Sequence, residues 1–299
     1  MSRHLIHAYK WEGKVMHIGI ISNKIKDIDL KITEYIAKWL NEKGLSAYTT
    51  PDVALSLKAR TISIERNKLY ELCDHLIVIG GDGTILGVAE AASRYNLPIV
   101  GVNLGRVGFL ADIEPQEVEA SLEKLLQGDY QIEERMMLRA SIMDPQGKQY
   151  TFDALNDINF TRGGFSKLVE FEICVNHQLC DIYPADGVIV SSPTGSTAYN
   201  LSAGGPIVVP HAHNYIITPI CPHTLSAKSI ILSDQDTVQI RTLEETKDMA
   251  LSIDGKQKMY LTAQHVVHVE RAPYVTRLIK LSHQKFFDIL RRKIVERRR

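Results

Sequence analysis

Hydrophobic and polar positions follow one rhythm in the first part of the chain and another after about Tyr130. From Met16 the run HIGIIS is short and apolar, the pattern of a buried strand. Ile28, Ile32, Tyr35, Ile36, Trp39 and Leu40 then fall on one face of a 3.6-residue period, and Gly44 stands where a helix stop belongs. Residues 45–49 predict a second strand, residues 62–72 a helix, and residues 75–79 (HLIVI) a fully apolar strand. GGDGT reads as the turn after it. A helix over 85–95 ends before Pro98, IVGVN is the next strand, and GRVGFL is a loop or short strand. Pro115 opens a further helix that Gly128 closes. Strands alternating with helices predict a parallel sheet covered on both faces.

Beyond Tyr130 the segments become short and β-like: LRASIM, YTFDALNDINF, KLVEFEICVN, GVIVSS, YIITPI, SIILSD, TVQIRTL, MALSIDG and HVVHVER. Turn residues separate them, among them Pro145-Gln146-Gly147, Gly163-Gly164 and Asp254-Gly255. The expected fold is therefore an α/β domain over residues 1–134 and a mainly β domain over 135–276. The ending HQKFFDILRRKIVERRR predicts a basic helix that packs Phe286, Phe287, Leu290 and Ile294 and leaves its charged end in solvent. Residues 1–15 match no regular pattern and read as a loose extension ahead of Met16. No fixed-period repeat is present.

Composition narrows the function classes. Of 299 residues, 44% are hydrophobic and 23% charged, which excludes disorder, collagen and a coiled coil. Thirty-five Lys and Arg balance 35 Asp and Glu, which argues against a nucleic-acid partner. No apolar run reaches the length of a membrane span, and the N-terminus lacks the apolar core of a signal peptide, so a cytoplasmic protein is expected. Cys73, Cys174, Cys180 and Cys221 form no CxxC pair and read as reduced thiols.

Four segments carry chemistry. Gly80, Gly81, Asp82, Gly83 and Thr84 lie between a buried strand and a helix, where open parallel sheets bind ligands. Glycines there admit close approach of a ligand, and backbone N–H groups at the helix start can cradle phosphate. The glycines, not Asp82, are expected to set the backbone path. Asp82 makes sense beside phosphate if it meets a metal or takes a proton from an attacking hydroxyl. The chain has no Walker A loop. The spacing Gly81-x-Gly83-x-x-x-Gly87, with Asn103 where a ribose-binding acid belongs, departs from the dinucleotide fingerprint. The second segment runs from Asp186 through GVIVSSPTGSTAYNLSAGGP and is dense in hydroxyls and glycines that can meet sugars or phosphates without burying charge. Asn156-Asp157 interrupts an apolar strand; an isolated Asn-Asp first of all reads as a hairpin end, and its groups are also able to read a ribose diol or an adenine edge. Asp254-Gly255 reads from spacing as a type I′ hairpin turn. His211 and His213 read as surface loop residues, and HExxH, GxSxG and HRD/DFG patterns are missing.

GGDGT, then Asn156-Asp157, then ADGVIVSSPTGSTAYNLSAGGPI resembles the NAD kinase family, with the motifs in family order from Met16 to about Lys280. GGDGT is shared with diacylglycerol and sphingosine kinases, so a lipid kinase is the alternative. The PTGSTAY–LSAGGP block is specific to NAD kinases. The resemblance implies transfer of the γ-phosphate of ATP, with Mg²⁺, to the 2′-hydroxyl of the adenosine ribose of NAD. It implies an α/β and a β domain with the active site in the cleft between them, a C-terminal segment 277–299 that returns to the first domain, and a homo-oligomer, most often a tetramer. By motif, Asp82 is the proton acceptor and Gly83 lies against the same substrate. Asn156 and Asp157 hold the adenosine, and Asp186 lies near the nicotinamide ribose. Thr197, Ala198, Tyr199, Asn200, Leu201 and Ser202 line the pocket, with Asn200 standing where the family usually has Ser. Lys167 matches a polar contact position. Lys256 stands where the family often has Gln, with Gln257 one residue later.

Overall fold

In a computed structural model of the protein, residues 16–105, 108–144, 146–163, 168–243, 249–282 and 285–296 are described. Lys167, the Arg106-Val107 pair of GRVGFL, the turn residues Pro145 and Gly164, and residues 1–15 lie outside them. By their internal contacts the residues fall into two compact units. One runs to Glu134 and resumes at Thr276; the other is Arg135–Val275.

The first unit contains β1 (His17–Ser22), α1 (Lys31–Glu42), β2 (Ser46–Thr49), α2 (Pro51–Ala54), β3 (Ile62–Ser63), α3 (Arg66–Leu72), β4 (His75–Gly80), α4 (Asp82–Arg94), β5 (Ile99–Asn103) and α5 (Val118–Gln127). Its strands are parallel in the order β3-β2-β1-β4-β5. Ile18, Ile20, Ile77, Ile79, Val100 and Val102 form one core cluster with Ile36 and Leu40 of α1 and Leu122 and Leu125 of α5. Leu76 and Val78, on the alternate positions of β4, are equally buried, so both faces of this sheet are covered. Gly128 closes α5 in the left-handed region at φ 72°.

Two helices differ from expectation. Residues 62–72 do not form one helix: Ile62 and Ser63 pair with Tyr48 and Thr49, and only Arg66–Leu72 is helical. The helix expected over 85–95 begins at Asp82, because the N–H groups of Thr84 and Ile85 both donate to the Gly81 carbonyl at 2.9 and 3.2 Å. GGDGT thus supplies the last strand residue, the cap and the first helical turn.

The second unit is antiparallel β. It contains most of β6 (Gln131–Met143), then β7 (Gln149–Ala154), β8 (Asp157–Arg162), β9 (Val169–Val175), β10 (Gln178–Ala185), β11 (Gly187–Ser191), the single turn α6 (Tyr199–Ser202), β12 (Asn214–Ile220), β13 (Ile230–Ser233), β14 (Val238–Thr242), β15 (Met249–Ile253), β16 (Lys256–Leu261) and the greater part of β17 (Val267–Lys280). One sheet has the order β13-β12-β11-β8-β15-β16, and β10-β9-β14-β17 run side by side in another. Side chains from both fill one core, where Phe160 and Phe171 meet edge to face at 5.5 Å. β10 and β16 are strands beyond the expected set. Most of their side chains are exposed or half-exposed, so neither carries a buried apolar alternation.

The chain re-enters the first unit at Thr276, where Leu278 pairs with Ile99 in parallel. Asp112 fastens this return. Its Oδ2 accepts the N–H groups of Leu281 (2.7 Å) and Ser282 (2.8 Å), and its Oδ1 accepts the Ser282 hydroxyl. α7 (Phe286–Glu296) follows. Its buried anchor is Ile289, and Phe287, expected to pack, is 65% exposed. The side chain of Ile294 lies outside the described residues.

Candidate functional site

In the first unit the site grows from the carboxyl ends of β1 and β4, adjacent parallel strands. Gly80 and Gly81 carry the chain out of β4 at φ 155° and 150°, a backbone that L side chains rarely adopt. Asn23, just after β1, ties the two loops together. Its Oδ1 accepts the N–H groups of Ile25 and Lys26, and its Nδ2 donates to Thr84 Oγ1 at 3.4 Å. The Lys26 ammonium lies 3.1 Å from the point a Gly81 Cβ would occupy, so a cation stands over the glycine pair. No sequence pattern singles out Asn23 or Lys26.

Asp82 is the first residue of α4, and its carboxylate is held on several sides. Oδ2 accepts the N–H of Phe109 at 2.8 Å; Oδ1 accepts those of Leu110 and Ala111 at 3.1 and 3.2 Å. Lys293 Nζ of α7 stands 3.8 Å from Oδ2. A Cβ on Gly108 would lie 2.0 Å from Oδ1, so only glycine lets the chain pass there with the carboxylate in place. Asp82 is therefore also the anchor of segment 109–111, a role beyond what the motif reading gave it. Gly83 has open space where a Cβ would project.

In the second unit the Asn156-Asp157 turn is built by a distant residue. Asp254 Oδ1 accepts the N–H groups of Asn156 (2.7 Å) and Asp157 (3.2 Å), and its Oδ2 accepts that of Leu155 (3.0 Å). Asp254 and Gly255 have φ of 48° and 73°, the type I′ turn expected from spacing. The side chain of Asp254 adds a second function to that turn. From the other side, the Ser192 N–H donates to the Asn156 carbonyl and the Ser192 hydroxyl to that of Leu155. A Cβ on Gly195 would meet the Asn156 carbonyl oxygen at 2.1 Å. The PTGST loop is thus pressed directly onto the Asn-Asp turn.

Asp157 is buried, and burial raises its carboxyl to about 6, with Asp254 adding to the rise and the Asn159 amide opposing it. Because the folded value exceeds the unfolded one, this group favours the folded state below about pH 4, and the contribution is lost as pH rises through 6. A shift from 3.8 to about 6 corresponds to about 3 kcal/mol. Asp157→Asn should accordingly flatten the pH dependence of stability between pH 4 and 7. Urea denaturation of both proteins across that range checks it, and an unchanged slope would refute the assignment.

Tyr199 is raised by burial first, then by Cys221, Asp157 and Asp186, which places Asp157, Asp186 and Tyr199 in one electrostatic neighbourhood. Asp186 is held by Arg162, whose Nε donates to Oδ1 at 2.8 Å. Thr197 is buried, Ala198 and Leu201 are half-buried, and Tyr199 and Ser202 are exposed. Asn200 is fully buried. Its amide donates to the carbonyls of Ser196 and Pro206 and accepts from Thr218, so its side chain braces the loop from within. Lys256 opens β16 with an exposed side chain, opposite Ile253, and Gln257 is exposed beside it. Among the described residues no group of three or more His, Cys, Asp or Glu side chains could hold a metal ion.

Comparison with known proteins gives this geometry a family. Residues 18–130 match the ATP-NAD kinase N-terminal domain and residues 155–281 the ATP-NAD kinase C-terminal domain. An NAD kinase of Caldanaerobacter subterraneus subsp. tengcongensis is 44% identical over 280 residues, covering 94% of this chain and 99% of its own. One from Natranaerobius thermophilus is 39% identical over 277 residues, covering 93% and 97%. Yeast NADH kinase, solved in complex with NADH, shares the fold at a TM-score of 0.87 and 22% identity, over 95% of this chain and 88% of that one. An Archaeoglobus fulgidus NAD kinase solved in complex with ATP shares it at 0.72 and 24% identity, over 92% and 99%. With its two matched domains in order and its close relatives aligned nearly end to end, the chain belongs to the NAD kinase family.

Proposed function

We propose that this chain transfers the γ-phosphate of ATP to the 2′-hydroxyl of the adenosine ribose of NAD, giving NADP and ADP. The observation that carries the reading is the 44% identity to an NAD kinase over 94% of the chain. The relatives reported above are NAD and NADH kinases, and no observation favours the lipid-kinase alternative. The geometry of Asp82 suits the chemistry. A carboxylate offers about four acceptor positions, and backbone N–H groups fill three. Among the described residues no donor within hydrogen-bond distance fills the fourth, which can accept a substrate hydroxyl. As the oxygen attacks the γ-phosphorus, its proton passes to Asp82, the new O–P bond forms, and the bond to ADP breaks.

In this reading the backbone of Gly80, Gly81, Gly83 and Thr84 meets phosphate, and ATP enters as its Mg²⁺ complex, the metal being part of the substrate. Asn156 and Asp157 hold the adenosine, and Asp186 the nicotinamide ribose. Thr197 through Ser202 form the pocket wall, and Lys167 and Lys256 are contacts. We assign the α/β domain to 1–134, the NAD-holding β domain to 135–276, and 277–299 to a segment that belongs with the first. From the family resemblance we expect a cytoplasmic homo-oligomer, most often a tetramer, whose association a net charge of zero opposes little. Light scattering at micromolar concentration should give four times the chain mass, and a monomer mass would refute the tetramer. NADP formation from NAD and Mg-ATP, read by an NADP-specific dehydrogenase, tests the activity. A purified folded protein that forms none would overturn it.

A further inference from the structure

We infer that Lys293 of α7 is a charge-balancing residue of the phosphoryl-transfer site, working beside Asp82; the inference rests on the kinase reading above and deepens it. α7 lies outside both segments matched by the family models. The acceptor position that remains on Asp82 is on Oδ2, since Oδ1 already takes two N–H groups and Oδ2 only one. Oδ2 is also the oxygen that Lys293 Nζ approaches, at 3.8 Å. That separation makes an ion pair but exceeds a hydrogen bond, so the ammonium flanks the open position without filling it. A hydroxyl donating to Oδ2 would have the ammonium as its neighbour.

The cation is held there by its surroundings. Lys293 Nζ lies 4.6 Å from the centre of the Phe109 ring, and the N–H of Phe109 donates to the same Oδ2. Phe286 packs on Phe109 at 5.7 Å, and Ile289, between Phe286 and Lys293 along α7, is buried. Only 28% of the Lys293 side chain is exposed. The Phe109 ring thus meets both the Lys293 ammonium and Phe286, about two turns apart on α7, while its N–H holds the Asp82 carboxylate. During transfer Lys293 exchanges no proton and forms no bond. It stays charged and offsets the negative charge on the phosphoryl oxygens and on Asp82 while the O–P bond forms and the P–O bond to ADP breaks.

Lys293→Met keeps the length and apolar stem and removes the charge; Lys293→Arg keeps the charge. For Lys293→Met we expect kcat to fall about 10–100-fold, KM for NAD to stay within about twofold, and the midpoint of urea denaturation to stay near wild type. Lys293→Arg should recover most of the lost rate. In combination with Asp82→Asn, the loss from Lys293→Met should shrink, because both act on one step. Wild-type kcat within about threefold in Lys293→Met would overturn the inference. So would additive losses in the double variant, or equal losses in Met and Arg variants matched by equal destabilisation, either of which marks a mere tether. Wild-type protein assayed alongside separates the two levels: no NADP from wild type sinks the kinase reading, and an active wild type with an unaffected Lys293→Met sinks only Lys293.

Discussion

Asp82→Asn should lower kcat for NADP formation by about 10²–10⁴-fold while KM for NAD moves by less than about threefold. The amide cannot take the proton of the 2′-hydroxyl, so the loss falls on the transition state and not on ground-state binding. The structure adds a second effect. Both oxygens of Asp82 receive backbone N–H groups from Phe109, Leu110 and Ala111. An Asn side chain must turn its NH₂ toward at least one of these donors. A part-buried N–H left unpaired costs about 1–2 kcal/mol, so stability should fall by that amount. This replaces the expectation that the glycines alone set the backbone path. Steady-state kinetics and urea denaturation of the same preparation separate the two effects. If kcat stays near wild type while stability drops, Asp82 is a brace for segment 109–111 and another group accepts the proton.

The parts of the molecule that were legible in the sequence are those written in short windows. HLIVI followed by GGDGT announces a buried strand and a ligand-facing turn because apolar run, glycines and acid are contiguous. Asp254-Gly255 announces a type I′ turn for the same reason. The illegible parts depend on partners far along the chain. Asp254 meets Asn156 across 98 positions. Segment 109–111 is bonded to Asp82 through its N–H groups, and backbone donors leave no trace in side-chain identity. α7 reads as a basic helix with an apolar face, yet Phe287 is exposed and Ile289 buried, because four aromatic and aliphatic residues in five positions allow more than one buried stripe. Asn200 shows a role that its place in the TAYNLS run does not announce: its amide also ties that run to Ser196, Pro206 and Thr218 of β12.

Asp254→Ala should raise KM for NAD by about 10–100-fold and lower stability by about 2–4 kcal/mol, with a smaller change in kcat. Three N–H groups converge on this one carboxylate, those of Leu155, Asn156 and Asp157. Hydrogen bonds to a charged acceptor are each worth about 1.5–3 kcal/mol, and water can replace part of them at a half-buried turn, which sets the range. The turn also receives the Ser192 hydroxyl and the close approach of Gly195, so a shift at Asn156 propagates to the PTGST loop. The Asn156-Asp157 turn and the PTGST loop would loosen together, and on the proposed reading NAD binding suffers more than phosphoryl transfer. Removing Asp254 also removes the neighbouring negative charge that helps raise Asp157, so the Asp157 carboxyl should titrate below about 6. Isothermal titration with NAD, repeated at pH 5.5 and 7.5, reads both consequences. Binding should be weaker at each pH, and the wild-type difference between the two pH values should narrow. An Asp254→Ala protein that binds NAD as wild type does, with the same pH dependence, would return Asp254-Gly255 to the role of a hairpin turn and nothing more.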